Sequence, residues 1–436
     1  MNHERVHELF QFIKNSPSCF HAIAEIRKEL LENGFVELSE GKRWNLEAGK
    51  NYFVTRNQSS VIAFKIPCAD FTSFHITASH SDAPCYKLKE NHEMDAAGKY
   101  VVLNTEPYGG MIASTWFDRP LSIAGRVLVK EGNCVKTKLV NVDRDLLMIP
   151  NMAIHMNREI NSGYKYNPQV DMLPVYGDIT SKGSLKGVVA EAAGVSEDSI
   201  LSVDLFLYNR QEPCIWGANG EYMSCPKLDD LECAFVTMKG FLKGQNAKSV
   251  SVLCVFDNEE VGSGTKQGAK STFMVDTLKR INSAMGRTEE DYHCAIASSF
   301  MVSADNAHAV HPNHPEVCDK TNRVFMNEGI VIKANSRQNY CTDGVSSAVF
   351  KSICEKANAP YQFFHNRSDL AGGGTLGNLS NMQVSLNAVD IGLPQLGMHS
   401  SFETAGVKDV QTTIDIMEAF YNSCMEELHD GDYALN

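Results

Sequence analysis

No apolar run in this 436-residue chain approaches the roughly 20 residues that cross a bilayer; the longest, such as residues 250–256, are strand-sized. A membrane span is excluded. The N-terminal stretch mixes His, Glu, Arg and Lys with Leu, Phe and Ile, without the unbroken apolar segment and small-residue cleavage site of a secretory signal, so a cytoplasmic location is expected. Positive charge is in deficit: 40 Lys and Arg against 53 Asp and Glu leave a formal charge of −13, which offers no general attraction for nucleic acid or an anionic membrane. There is no CxxC pair, and the thirteen cysteines are odd in number and scattered. A structural zinc ribbon or thioredoxin-type site therefore has no support, and reduced, mostly buried thiols are expected, Cys85 included. Tandem repeats and low-complexity tracts are also missing. What remains is an ordinary globular composition, 43% hydrophobic and 21% charged, long enough for two to three domains.

Apolar side chains at Val6, Leu9, Phe12, Ile13, Ile23, Ile26 and Leu30 recur at helical spacing, and Pro17 and Ser18 split them into two amphipathic helices. Continuous β-branched runs at 59–65, 73–78, 249–256 and 294–298 read as strands covered on both faces, with helical periods at 231–243, 268–284, 345–358 and 412–428. That alternation predicts a largely parallel α/β sandwich. Residues 90–226 differ, with short strand-like segments, turn residues and little helical period. They read as a β-rich domain inserted into an α/β domain formed by residues 1–89 and 227–436.

Acids and histidines concentrate in five segments at or beside strand ends: His80-Ser-Asp82, Lys227-Leu-Asp229-Asp230, Asp257-Asn-Glu259-Glu260, Ser303-Ala-Asp305 through His308, and Gly397-Met-His399. Loops at the carboxyl ends of parallel strands converge on one crevice, so such segments can share a site. His80, Asp229, Glu260, Asp305 and His399 supply two imidazoles and three carboxylates, the inventory of a two-metal site with ions about 3.5–4 Å apart and one bridging carboxylate. Three carboxylates against two divalent cations leave one positive charge, which a bridging hydroxide balances, so the site is expected to lower the pKa of bound water. Glu259, facing away from its ligand neighbour on an extended loop, is the expected general base. Asp82 can accept the second ring N–H of His80. His311 and His314 flank a Pro-Asn turn and are read as loop structure.

Together, the segments ITASHSDAPCYKLK, IPNMAIHMNREIN, PKLDDLECAF, FDNEEVGSGTKQGA, MVSADNAHAVHPNH, RSDLAGGGTLG and LGMHS resemble, in order and over nearly the whole chain, the aspartyl aminopeptidase family of dinuclear zinc metallopeptidases. The resemblance implies a zinc-peptidase-like α/β sandwich interrupted by a β-rich dimerisation domain, assembled from dimers into a tetrahedral dodecamer whose active sites face an internal chamber. It implies two divalent ions, zinc first with cobalt or manganese as alternatives. His80 and Asp305 would hold one ion, Glu260 and His399 the other, with Asp229 bridging and Glu259 as base. His155 would reach into a neighbouring subunit's site to stabilise the reacting carbonyl, Lys333 would contact the substrate's first side chain and Tyr340 the oxyanion, and His308 would line the pocket. The chain departs from the family at Asn151, at Gln338-Asn339-Tyr340 and at Ala371-Gly372-Gly373-Gly374-Thr375. Removal of N-terminal Asp or Glu from peptides is the expected activity. A broad or neutral preference, a zinc deacylase or carboxypeptidase, and a non-catalytic scaffold are the alternatives.

Overall fold

The apolar runs without polar alternation become the centre of a nine-stranded sheet. In the computed structural model, which describes residues 3–370 and 372–436, strands Ser249–Phe256, Ser73–His80, Phe300–Ala304 and Asn387–Gly392 lie side by side and parallel. Strands buried on both faces have no reason to alternate, and the first two are buried at every position. The antiparallel pair Asn51–Arg56 and Ser60–Lys65 extends one side, with Val36–Leu38 at the edge; Ile330–Ala334, antiparallel, and Tyr361–His365 complete the other. Helices Glu4–Lys14, Cys19–Glu32, Leu228–Lys243, Gly344–Lys356 and Val407–Asn422 cover one face, and Phe273–Ala284, Glu289–Ala297 and Leu376–Asn381 the other, each through its own apolar cluster.

A second sheet is antiparallel throughout. Its six strands run in the order Cys134–Asn141, Leu121–Glu131, Ile200–Asn209, Cys85–Ala96, Tyr100–Tyr108 and Val175–Asp178, over a separate core that includes Tyr86, Trp116, Ile123 and Leu205. The strand Cys85–Ala96 starts five residues past His80 and leads directly out of the metal-side loop. A smaller five-stranded sheet pairs Tyr222–Cys225 with Glu403–Gly406 and joins Pro394–Leu396 to Ala307–His308, which ties the loops carrying Asp305 and His399 together. No helix among the described residues is long and apolar enough to cross a membrane.

Three local expectations are corrected. Residues 294–298 are the end of the helix Glu289–Ala297, whose Thr288–Asp291 capping box starts the helix, and the strand begins only at Phe300. The last long helix is Val407–Asn422, and residues beyond it form the hairpin Met425–His429 with Asp432–Leu435. The β-rich segment also contains a helix, Leu185–Ala193, closed by Gly194 at φ +66. Ala371, in the departing segment 371–375, lies outside the described residues, as do residues 1 and 2 of the N-terminal stretch.

Candidate metal centre

Three of the four parallel strands at the centre deliver an acid or a histidine at the carboxyl end. His80 is the last residue of Ser73–His80, and the register that pairs it with Phe256 sets the 257–260 turn beside it. Asp305 follows Phe300–Ala304, its amide bonded to the Ile391 carbonyl at 3.0 Å. Gly392 is required at this crossing, because a Cβ there would come within 2.0 Å of the Asp305 carbonyl oxygen. Asp229 stands at the start of Leu228–Lys243, entered through Lys227 at φ +57, and its peptide bond to Asp230 is cis. His399 sits in the turn after Pro394–Leu396 at φ +67.

These side chains meet. Asp229 turns one carboxylate oxygen to each histidine: Oδ1 lies 3.5 Å from His80 Nε2 and Oδ2 3.4 Å from His399 Nε2, while Glu260 Oε2 lies 3.5 Å from the same His399 nitrogen. Potential donor atoms group as His80, Asp229, Asp230 and Asp305; as His80, Glu259 and Glu260; and as Asp229, Glu260 and His399, each group spanning at most 4.8 Å. Asp229 Oδ1 and Glu260 Oε1 are buried and accept no hydrogen bond from the described residues. Buried oxygens without a donor among the described residues, gathered around two imidazoles, fit divalent metal.

The electrostatics are those of crowded acids. Burial, then the neighbouring carboxylates, push Glu259 up to about 7 and Glu260 well above the carboxylate range. Burial also raises Asp305, to about 6, against the pull of Lys333. Asp229 goes the other way: burial opposes its charge, but His399 and His80 hold it below the usual range. His80 is raised well above its ordinary value despite burial, because Asp230 and Asp229 face it.

Glu259 and Glu260 occupy a single tight turn, Glu259–Val261, between Asn258 at φ +63 and Gly262 at φ +93. Both carboxyl groups therefore come within reach of His80, not to opposite sides as on an extended loop. Asp82 acts differently from expectation as well. His80 Nδ1 is 3.0 Å from the Asp82 backbone carbonyl and 3.4 Å from its carboxylate; that carboxylate instead accepts from the Glu259 and Glu260 amides at 3.1 and 3.2 Å and from the Tyr108 hydroxyl at 2.7 Å.

Sequence reasoning missed the groups that hold this arrangement. Glu403 accepts from the amides of Asp229 at 3.0 Å and His399 at 2.7 Å, and Asp230 accepts from the His80 amide at 3.0 Å. The His399 Nδ1 meets the Gly110 carbonyl, and Asn258 donates to the Tyr108 hydroxyl at 2.8 Å, so the six-stranded sheet supports the centre directly. Proximity in sequence was the available signal: Asp230 is adjacent to Asp229, and Glu403 is four residues past His399.

The remaining candidates spread outward. Lys333, only 2% exposed, donates to the Asp305 carbonyl at 2.6 Å and stands 4.0 Å from its carboxylate, with the Tyr340 ring 5.3 Å away. Tyr340 is buried against Phe364, whose ring also meets that of the exposed His308. His155 lies in a turn that is part of no helix or strand, exposed between the exposed Ile154 and Met156.

Residues 12–421 match the family described as aminopeptidase I zinc metalloprotease, M18. The chain belongs to the M18 family of metallo-aminopeptidases. It is 44% identical to the "Probable M18 family aminopeptidase 2" of Clostridium acetobutylicum, over 95% of this chain and 98% of that protein. It is 35% identical to the "Probable aspartyl aminopeptidase" of Ricinus communis, over 95% and 94% respectively. Among solved structures, the mApe1 dodecamer of S. cerevisiae superposes with a TM-score of 0.84 at 28% identity, covering 96% of both chains. As an M18 member the chain is a hydrolase of the aminopeptidase type.

Proposed function

We propose that this M18 chain is a dinuclear zinc aminopeptidase that prefers peptides beginning with Asp or Glu. The observation that carries the two-ion reading is Asp229, whose two oxygens each face a different histidine. His80 and Asp305 would hold one ion, Glu260 and His399 the other, and Asp229 would bridge. Bound there, the ions supply Lewis acidity and bring the pKa of a water toward neutrality. Glu259 takes the proton from the attacking water at its carboxylate, the water oxygen bonds to the carbonyl carbon, and Glu259 returns the proton to the departing amine nitrogen as the C–N bond breaks. Asp82 fixes the amides of the turn that carries Glu259. Tyr340 and, from a neighbouring subunit, His155 would donate to the carbonyl oxygen as charge builds, with His308 lining the pocket.

The name of the Ricinus relative supports the acidic preference, and Lys333 is the cation that would meet the substrate carboxylate. The dodecameric yeast relative supports a homo-oligomer, with residues 90–226 as the dimerisation domain and 1–89 with 227–436 as the catalytic one. Thirteen unpaired cysteines suit a reducing compartment such as the cytoplasm. The test is chelation followed by repletion: removing metal, verified by elemental analysis, should abolish release of N-terminal residues, and zinc, cobalt or manganese should restore it. Undiminished turnover in a metal-free preparation would overturn the reading.

A further inference from the structure

Asp305, which groups with His80, Asp229 and Asp230, is followed by a residue that offers no atom to that group but whose side chain is fully committed. Asn306 donates from Nδ2 to Glu232 Oε2 at 3.1 Å and to Gln395 Oε1 at 3.0 Å, and its Oδ1 accepts from the Cys233 thiol at 2.9 Å. A side-chain amide has two N–H groups, and both are used. Asn306, Glu232 and Gln395 are each at most 3% exposed. Glu232 Oε1 and Gln395 Nε2 have no hydrogen-bond partner among the described residues, so both buried side chains depend on Asn306 for the bond they make.

The three segments joined in this way each carry or lead to a proposed ligand. Glu232 and Cys233 lie three and four residues past Asp229 in the helix Leu228–Lys243, Asn306 adjoins Asp305, and Gln395 belongs to the strand Pro394–Leu396, which precedes the turn of His399. Backbone bonds fix the Asp305 segment to the chain beside it: the Asp305 amide donates to the Ile391 carbonyl at 3.0 Å and the Ala307 amide to the Leu393 carbonyl at 2.8 Å, while Lys333 holds the Asp305 carbonyl. None of these bonds reaches the helix. Among the described residues, the hydrogen bonds between residues 305–307 and Leu228–Lys243 are those of the Asn306 side chain. Carboxylates that share an ion repel one another until it binds, so their separation has to be set by groups outside the pair, and a buried hydrogen-bonded network is rigid enough to set it.

We infer, resting on the two-ion reading proposed above, that Asn306 is a positioning residue: it sets the separation of Asp305 from Asp229, and with it the grip on the ion that these two would share with His80. Cys233, Glu232 and Gln395 then belong to the support of the metal centre, although none of them is among the grouped donor residues.

Stepwise removal of zinc from the full-length holoenzyme by a competing chelator tests this, read as the number of zinc equivalents and the affinity of each. Asn306→Leu removes all three side-chain bonds at similar volume, Glu232→Leu removes one of them from the other end, and Glu232→Gln keeps an oxygen for Asn306 to bond. Asn306→Leu and Glu232→Leu should each weaken one of two equivalents at least about tenfold and leave the other within about threefold, while Glu232→Gln holds both as the wild type does. Unchanged affinities in folded Asn306→Leu, or an equal loss at both equivalents, overturn the inference; should Asn306→Leu fail to fold, Glu232→Leu decides. A wild type that holds a single equivalent refutes the two-ion reading separately: the inference then stands if that equivalent weakens in Asn306→Leu and falls if it does not.

Discussion

Tyr108, the last residue of a strand in the six-stranded sheet, donates its hydroxyl to Asp82 at 2.7 Å, and Asp82 in turn holds the amides of Glu259 and Glu260. The β-rich sheet therefore takes part in building the centre. It fixes, through one phenol, the turn from which the proposed base and one proposed ligand project. Loss of a group that orients metal ligands typically costs 10–100-fold in metal affinity or activity. Tyr108→Phe should accordingly lower kcat or zinc affinity by roughly that factor with little effect on the unfolding midpoint, which steady-state assays and a zinc-chelator competition would measure. Wild-type values for both would mean that the Asp82 amide contacts suffice.

Glu259 and Asp229 should separate cleanly on substitution. Glu259→Gln preserves shape without basicity and is expected to keep metal while losing roughly 10²–10⁴-fold in kcat. Asp229→Ala removes the carboxylate that faces both histidines and should lose metal first and activity as a consequence. Elemental analysis beside kcat for both variants distinguishes the two outcomes. Near-native kcat in metal-loaded Glu259→Gln would require another base.

The proposed ligands could be read from the sequence because each sits in an acid- or histidine-rich segment at a strand end, and strand ends follow from uninterrupted apolar runs such as 249–256. Glu403 and Asp230 were not legible, because what they do is accept hydrogen bonds from amides that only the folded backbone brings to them. Tyr108 lies 26 residues from Asp82, across a β-strand pairing that no local pattern announces. The helix Leu185–Ala193 escaped because Gly187, Val188 and Val189 weaken the helical signal in a segment otherwise rich in turns. Residues 294–298 misled in the opposite sense: short and apolar, they suit a strand or the end of a buried helix equally, and the capping box at Thr288 decides.

Lys333 tests how specificity is built. Its ammonium already serves the Asp305 carbonyl, so a substrate carboxylate would be met by its remaining N–H groups. Lys333→Met should reduce kcat/KM for Glu-terminated peptides more than for Ala- or Leu-terminated ones, and should also lower zinc affinity modestly, since Asp305 loses its nearest cation. Comparing the three peptides on both proteins, with metal content measured, checks this. A Glu preference that survives the substitution would exclude Lys333 as its source and direct attention to the departing segment around Asn339.

His75 should make stability fall with acid well away from the metal centre. It is fully buried in the strand Ser73–His80, stacked on Phe420 with ring centroids 5.2 Å apart, and its Nδ1 lies 3.3 Å from the Phe420 carbonyl while Nε2 has no hydrogen-bond partner among the described residues. Burial lowers its pKa from 6.5 to about 4, outweighing the Phe420 carbonyl. Between those values the unfolded chain binds a proton that the folded chain refuses, so stability is complete above about pH 6.5, declines as pH falls to about 4, and levels off below. At 1.36 kcal/mol per unit the loss amounts to about 3 kcal/mol. His75→Phe keeps a ring against Phe420 and removes the titration. Across pH 7 to 4 the unfolding midpoint of the variant should fall less than that of the wild type; parallel curves over that window would mean that His75 takes up its proton without unfolding.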